Sequence, residues 1–356
     1  MKILDRYISV LLLQTTGLAL LVLLALFAVL SLIDQLGDAG RGNYSVIKII
    51  EYVGLTLPRL ALELTPVAAV TGAMTTLGIL THNCELVIIH AAGVSRSRLA
   101  LSMMKGGVLI VLAATLTGEF LVPYCEHAAQ QMRSVALSRQ IAVSTGNGFW
   151  SRDGSSYINI RKILPGDQVE DIYIYEFDAE DRLRASTYAR RGRYVNDQWV
   201  LEDIEQSVID NENDKVVRND LKLAAWGSLL NPEVINLVTI KPDYLSLWGL
   251  LKYIEYLKQN AQNSQRYEQA LWSKFASPFT ILALIVLAVP MVRIGGRAVA
   301  VGQRVFIGCL AGLVFHVVNQ IAGQVGLVYS INAVVSATLP TLVVASITFW
   351  LLRRVA

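Results

Sequence analysis

The chain has 356 residues, 54% hydrophobic and 17% charged, with mean hydropathy +0.47 and a formal net charge of +3. That composition excludes an ordinary soluble enzyme and describes an integral membrane protein. The apolar stretches are continuous and helix-length, without the roughly ten-residue alternation of an outer-membrane barrel, so the spans are predicted as helices.

Lys2 and Arg6 precede an uncharged run from Tyr7 to Ile33. The run is longer than a signal-peptide core of about 7–15 residues, which predicts an uncleaved anchor. Spans are expected at about 8–33, 64–82 and 99–122, and again at about 270–292, 305–328 and 332–352. Each is near the roughly 20 apolar residues that cross a hydrocarbon core of about 30 Å. Segment 34–63 reads as a connection, with Arg41, Lys48 and Arg59 offset by Asp34, Asp38, Glu51 and Glu63.

Between spans two and three lies His82-Asn83-Cys84-Glu85-Leu86-Val87-Ile88-Ile89-His90-Ala91-Ala92-Gly93-Val94-Ser95-Arg96. Asn83 can cap a short helix, Glu85 falls in its first turn, Gly93 can end it, and Ser95 can cap span three. Such a stub is too short to cross a bilayer, yet it is greasier than a loop. It must bury against its own helix ends or against a docked cytoplasmic protein.

Beyond span three, residues 125–140 look helical and carry Arg133 and Arg139. From about Gly148 to Val238 the text turns to short β-rich runs, broken by Asp153-Gly154, Pro165-Gly166 and Asn196-Asp197, all turn formers. This spacing suggests an antiparallel sandwich or jelly roll. The histidines His82, His90, His127 and His316 all lie outside it, and it has no Gly-x-Ser-x-Gly elbow. A binding or conducting role is therefore favoured over hydrolysis. Cys84, Cys125 and Cys309 fall at different depths and offer no disulfide or metal framework.

Residues 246–258 place Leu247, Leu250, Leu251, Ile254 and Leu257 on one face, predicting an amphipathic helix on the membrane surface or packed on the β-domain. Between Arg304 and Arg353 stand 48 residues without a charge, about 72 Å as one helix. The chain must therefore turn, near 328–332. Lys2, Arg6, Arg96, Arg98, Arg293, Arg297, Arg304, Arg353 and Arg354 collect on one side. The positive-inside rule makes that side cytoplasmic, with both termini in the cytoplasm and the insert outside. Lys105 and Glu119, near opposite ends of span three, could snorkel to their nearer surfaces, and His316, Asn319 and Gln320 could bond to neighbouring helices. No Gly-x-x-x-x-Gly-Lys-Ser/Thr loop exists, so any ATP must be hydrolysed by a partner.

Glu85-Leu86-Val87-x-x-x-Ala91-Ala92-Gly93-Val94-Ser95 resembles the coupling-helix motif of the LptF/LptG family, the membrane subunits of the lipopolysaccharide exporter. The resemblance runs through Ile3-Leu4-Asp5-Arg6-Tyr7-Ile8, Asp34-Gln35-Leu36 with Tyr44, Gly118-Glu119 before Pro123, Tyr253-Ile254-x-Tyr256-Leu257-Lys258, Trp272-Ser273-Lys274 and Trp350-Leu351-Leu352. The opening and Asp34-Gln35-Leu36 are more similar to the LptG branch than to the LptF branch.

The resemblance implies six transmembrane helices in a 3+3 order around a periplasmic all-β, jelly-roll-like domain in the bacterial inner membrane. The implied division is 1–123 with a coupling helix at 83–93, then 124–242, then 243–356. It implies a transport subunit without cofactor, paired with LptF, LptC and LptA and with an LptB ATPase dimer that binds the ATP. Lipopolysaccharide and membrane lipids are the implied ligands, and nucleic acid is not. Glu85, Leu86, His90 and Arg96 would meet the ATPase. Phe27, Asp34, Arg41, Arg133, Arg304, Phe306 and Phe315 are the substrate candidates, although Ser31, Gly37 and Asp38 stand where some members carry a basic patch. Two rivals remain on residues alone. An ion-coupled secondary transporter would need broken helices or a buried midplane titratable group. A mechanotransmission or scaffold protein would move the insert without passing substrate.

Overall fold

A bilayer core offers no water to an open backbone, so the long apolar runs close their hydrogen bonds internally as helices. The computed structural model describes residues 2–137, 143–164, 168–178, 180, 182–195, 198–210, 215–226, 241–260, 262–292 and 301–355. Helices α1 (Lys2–Leu36), α2 (Val46–His82), α3 (Glu85–Ala91), α4 (Arg96–Leu116) and α5 (Val122–Leu137) come first, α4 and α5 being joined by a π-turn at Thr117–Leu121. Strands β1 (Val143–Asp153), β2 (Ser156–Leu164), β3 (Gln168–Phe177), β4 (Leu183–Val195), β5 (Gln198–Asp210) and β6 (Lys215–Trp226) follow. After a 3₁₀ turn at Pro242–Tyr244 come α6 (Leu247–Gln259), α7 (Gln265–Met291), α8 (Val301–Val328) and α9 (Ala333–Val355). Among the described residues, six helical stretches are long and apolar enough to cross a membrane: α1, α2, α4 through α5, α7, α8 and α9.

Two expectations need correction. Segment 34–63 is not all connection, because α2 begins at Val46 and carries Pro58 and Pro66 within it. Its charges and prolines disguised a helix whose Ile49, Tyr52 and Val53 are buried. The β-strands form one antiparallel sheet in the order β1-β2-β3-β4-β5-β6. Among the described residues this is a meander rather than a jelly roll, because each hairpin returns its strand beside its predecessor. The turn expected at Asp153-Gly154 joins β1 to β2, with Asp153 paired to Ser156. Those expected at Pro165-Gly166 and Asn196-Asp197, together with Arg139, Arg293 and Arg297, lie outside the described residues.

One sheet face buries Ile158, Ile160, Ile172, Ile174, Trp199, Leu201 and Ile204, and α6 lies against it through Tyr253, Tyr256 and Leu257. The Tyr256 hydroxyl is hydrogen-bonded to Ser151 Oγ (2.5 Å). Helix α6 is thus packed on the sheet: Leu250, Ile254 and Leu257 of the expected face are buried together with Tyr253 and Tyr256, while Leu251 is exposed. The α8–α9 turn falls at 329–332 as expected, and Gln265 Nε2 donates to the carbonyls of Gly326 (3.1 Å) and Ile331 (2.9 Å) on either side of it.

Helix α2 is the hub. A Cβ on Gly72 would stand 2.6 Å from Thr16 Cα of α1. Cβ atoms on Gly308 and Gly312 of α8 would stand 3.0 Å from Thr71 Cα and 2.9 Å from Val67 Cα. These glycines let backbones touch, the small-xxx-small mode of helix packing in lipid. Thr15 Oγ1, 2.9 Å from the Gly72 carbonyl and 2.8 Å from Thr76 Oγ1, seals the α1–α2 contact. Gly72→Val should force α1 off α2 at an overpacking cost of about 1–3 kcal/mol, read as a lowered Tm of the purified protein in detergent. Gly54→Ala, where nothing lies within 4 Å of the added carbon, should not lower Tm and should raise it slightly, since alanine suits a helix interior better than glycine.

Candidate functional site

The corner between α2 and α4 is built from the short helix α3. Cys84 enters it at φ 60, and Gly93 leaves it at φ +81, a conformation that suits glycine. Asn83 does not cap the helix. Its Nδ2 instead donates to Glu85 Oε1 (3.1 Å), while the Tyr7 hydroxyl of α1 donates to Glu85 Oε2 (2.8 Å). Ser95 caps α4 as expected, accepting from the Arg98 backbone N–H (3.3 Å). His90 Nδ1 lies 3.0 Å from the Val94 carbonyl. No residue of α3 is buried. Leu86 packs partly against the helix core, whereas Val87 and Ile88 are 47% and 66% exposed. Glu85, Leu86, His90 and Arg96 therefore share one corner, with an outward apolar face beside them.

Asp5, just inside α1, ties α1 to α4 beside this corner. It accepts from Arg98 Nη2 (3.1 Å), Ser102 Oγ (2.6 Å) and Lys105 Nζ (2.5 Å). Lys105 thus has an ion-pair partner instead of merely snorkelling. The sequence quoted Asp5 and Tyr7 only as motif letters, since nothing local signals a partner some 80–100 residues away.

At the other end of α1, Asp38 bridges two arginines, with Arg41 Nη1 at 2.6 Å and Arg133 Nη2 at 3.1 Å. Arg133 also lies over the Tyr52 ring, 5.5 Å from its centroid. Asp34 is exposed nearby at the end of α1. Arg304 belongs elsewhere. It is buried against α2, its Nη1 3.5 Å from the Gly78 carbonyl. Tyr52 and Gly78 are 26 positions apart on α2, roughly 39 Å at 1.5 Å per residue, so Arg133 and Arg304 cannot serve one headgroup together.

The apolar candidates divide as well. Phe27 is half-buried on α1, and Phe306 is 66% exposed at the start of α8. Phe315, expected beside Phe306 on a lipid path, is instead a core residue, packed with Val70 and Leu284 and only 8% exposed. Nine residues of helix turn it to the opposite side from Phe306. Leu18, Leu21, Val22, Leu26 and Val29 form an exposed aliphatic side of α1. Leu310, Val314, Val317 and Ile321 do so on α8, beside exposed Asn319 and Gln320.

Two polar clasps went unread in the sequence. Glu119 accepts from the Leu247 N–H (2.7 Å), at the start of α6, and from Lys274 Nζ (2.7 Å). It is a strut between α4, α6 and α7 and does not reach for the surface. Glu126, 2% exposed, accepts from Arg59 Nη1 (3.2 Å) and Gln130 Nε2 (2.8 Å). Arg59 also faces Glu63 (3.8 Å) and the Tyr244 ring (5.0 Å), and the Tyr244 hydroxyl donates to Glu63 Oε1 (2.6 Å). Burial and then the Glu63 carboxylate push the Tyr244 phenol well above its usual range, keeping it a donor. No group of three or more His, Cys, Asp or Glu among the described residues could hold a metal.

Residues 6–354 match the family model described as "Lipopolysaccharide export system permease LptF/LptG", and the chain belongs to that family. It is 32% identical to the export permease protein LptG of Haemophilus influenzae over 353 residues, 99% of this chain and 98% of that one. It is also 32% identical to LptG of Escherichia coli K12 over 354 residues, with the same coverage. Escherichia coli LptF is more distant, at 24% identity over 169 residues, 47% of this chain and 46% of that one.

Removing Arg59 strands the buried Glu126 charge, so Arg59→Ala should cost about 3–5 kcal/mol of stability. Glu126→Ala added to it should recover much of that loss. Thermal unfolding of both variants and the double mutant in one detergent checks the coupling.

Proposed function

We propose that the chain is the LptG-like half of a permease that extracts lipopolysaccharide from the inner membrane and passes it to a periplasmic bridge toward the outer membrane. A separate cytoplasmic LptB ATPase dimer binds and hydrolyses the ATP, LptF is the sister subunit, LptC docks beside the helices and LptA continues the bridge. Family membership over nearly the whole chain supports this reading. In it the spans stand three and three around a periplasmic β-domain, with both termini cytoplasmic, as the loop cations argue.

The observation that carries the coupling is α3. A seven-residue helix with no buried side chain, an outward Val87 and Ile88, and a carboxylate tied to α1 is built to be covered by a partner. Glu85, Leu86, His90 and Arg96 then form the ATPase contact. Motion of α3 passes to α4 through Gly93–Ser95 and from α4 to α1 through Asp5.

The substrate side follows from solvation. Each lipid CH₂ in water costs about 0.8 kcal/mol, so a multi-acyl lipid needs a continuous apolar path. The exposed sides of α1 and α8, with Phe27 and Phe306, supply it. The exposed Asn319 and Gln320 on α8 suit a cavity or sister-subunit face better than acyl chains. At the outer rim, Arg133 and Arg41 share Asp38, with Asp34 beside them, and a lipid phosphate would bind by displacing that carboxylate. Arg304, held against Gly78, is assigned to anchoring α8.

Glu85→Lys should abolish co-purification of the ATPase or uncouple it, with loss of export in cells; an intact complex exporting at the normal rate rejects the coupling. A photoreactive residue at Leu26 or Phe306 should crosslink lipopolysaccharide in proteoliposomes with a yield that changes on ATP addition. Absence of any adduct at both positions rejects the path.

A further inference from the structure

Two neighbouring cavities share Leu62 and Ala114 in their walls, the first of them on the side of α1 away from its exposed aliphatic residues. The first, about 220 Å³, is bounded by Leu13 and Leu20 of α1, Leu62 and Ala68 of α2, and Ile110 and Ala113 of α4. The second, about 180 Å³, continues past Leu62 and Ala114 to Gly118, Glu119, Asp243, Lys274 and Ile281. Apolar cavities of about 150 Å³ take up a benzene molecule, so each of these has room for a length of alkyl chain. The first cavity is lined by Gly17, Leu109 and Ala113, all exposed on α1 and α4, and so gives onto the bilayer. The other end is polar, with one cation, Lys274, flanked by the carboxylates of Glu119 and Asp243.

From this the geometry points to a built-in site for one zwitterionic membrane phospholipid. One acyl chain lies in the α1–α2–α4 crevice, the phosphate lies against Lys274, and the ammonium lies against Glu119 and Asp243. The charge pattern selects a head carrying both signs over an anionic one. The inference goes beyond the export reading and stands on the cavities among α1, α2, α4 and α7 together with Asp243 of the 3₁₀ turn. Bound there, the lipid would fill the seam between α1 and α4 while leaving the exposed side of α1 free.

Gly17 supplies the test, because a side chain added there meets nothing within 4 Å. Gly17→Leu places a branched side chain on the crevice wall, its Cβ free of contacts, and a glycine-free helix interior is favoured. The purified permease complex, equilibrated in nanodiscs of phosphatidylethanolamine and phosphatidylglycerol and moved to detergent, is weighed by native mass spectrometry. Phosphatidylethanolamine should remain on the wild-type complex and be lost several-fold from Gly17→Leu. No retained lipid, retention of phosphatidylglycerol or lipopolysaccharide instead, or equal retention by both proteins overturns the site. ATP-driven release of lipopolysaccharide from the same preparations reports on export separately.

Discussion

Apolar burial cannot hold helices together in a solvent as apolar as leucine, so contact has to. The backbone approach at Gly72, Gly308 and Gly312 is the constraint on which the helical half depends. It seats α1 and α8 on opposite flanks of α2 using only small residues. Their larger aliphatic side chains are therefore left facing outward, and the exposed aliphatic sides of α1 and α8 follow from where these glycines lie.

The β-domain is tied to that frame by charge. Glu119 ends on the first peptide N–H of α6, where the helix dipole favours an anion, and also holds Lys274 of α7. Arg59 and Glu126 join α2 to α5, and Tyr244 adds the returning chain. Buried ion pairs recover little net stability over apolar packing. Here they set geometry, fixing α2 to α5 through Arg59–Glu126 and the start of α6 to α7 through Glu119. Helix α6, packed against the sheet, is thereby the element through which the sheet is fastened to α7 and to the turn after α4.

Features governed by local chemistry were legible in the sequence: the six apolar runs, the Ser95 cap, the Gly93 exit, the Asp153-Gly154 turn and the 329–332 hairpin. Features set by long-range contact were not. The first turns of α2 read as loop because Lys48, Glu51, Pro58 and Arg59 look like a connection until α5 and Tyr244 supply partners. Phe306 and Phe315 look equivalent as letters, and only the packing of α8 on α2 turns one out and the other in. Arg133 and Arg304 were both basic residues at span ends, and the length of α2 separates their roles. The jelly roll was inferred from strand spacing, which does not encode strand order.

The strength of the links around α3 decides how force could travel in the proposed exporter. The Tyr7–Glu85 hydrogen bond is exposed, and exposed polar contacts contribute at most about 1 kcal/mol. A docked partner that claims Glu85 for itself can therefore break it at little cost. Asp5 is different: three donors from one face of α4 converge on a carboxylate whose side chain is 14% exposed. Helices α1 and α4 consequently move as a pair at this end, whether or not Tyr7 keeps its hold. A push on α3 thus reaches α1 through α4, by way of the covalent Gly93–Ser95 link and then Asp5, and the Glu85 contact is left free to act as the part that is made and broken.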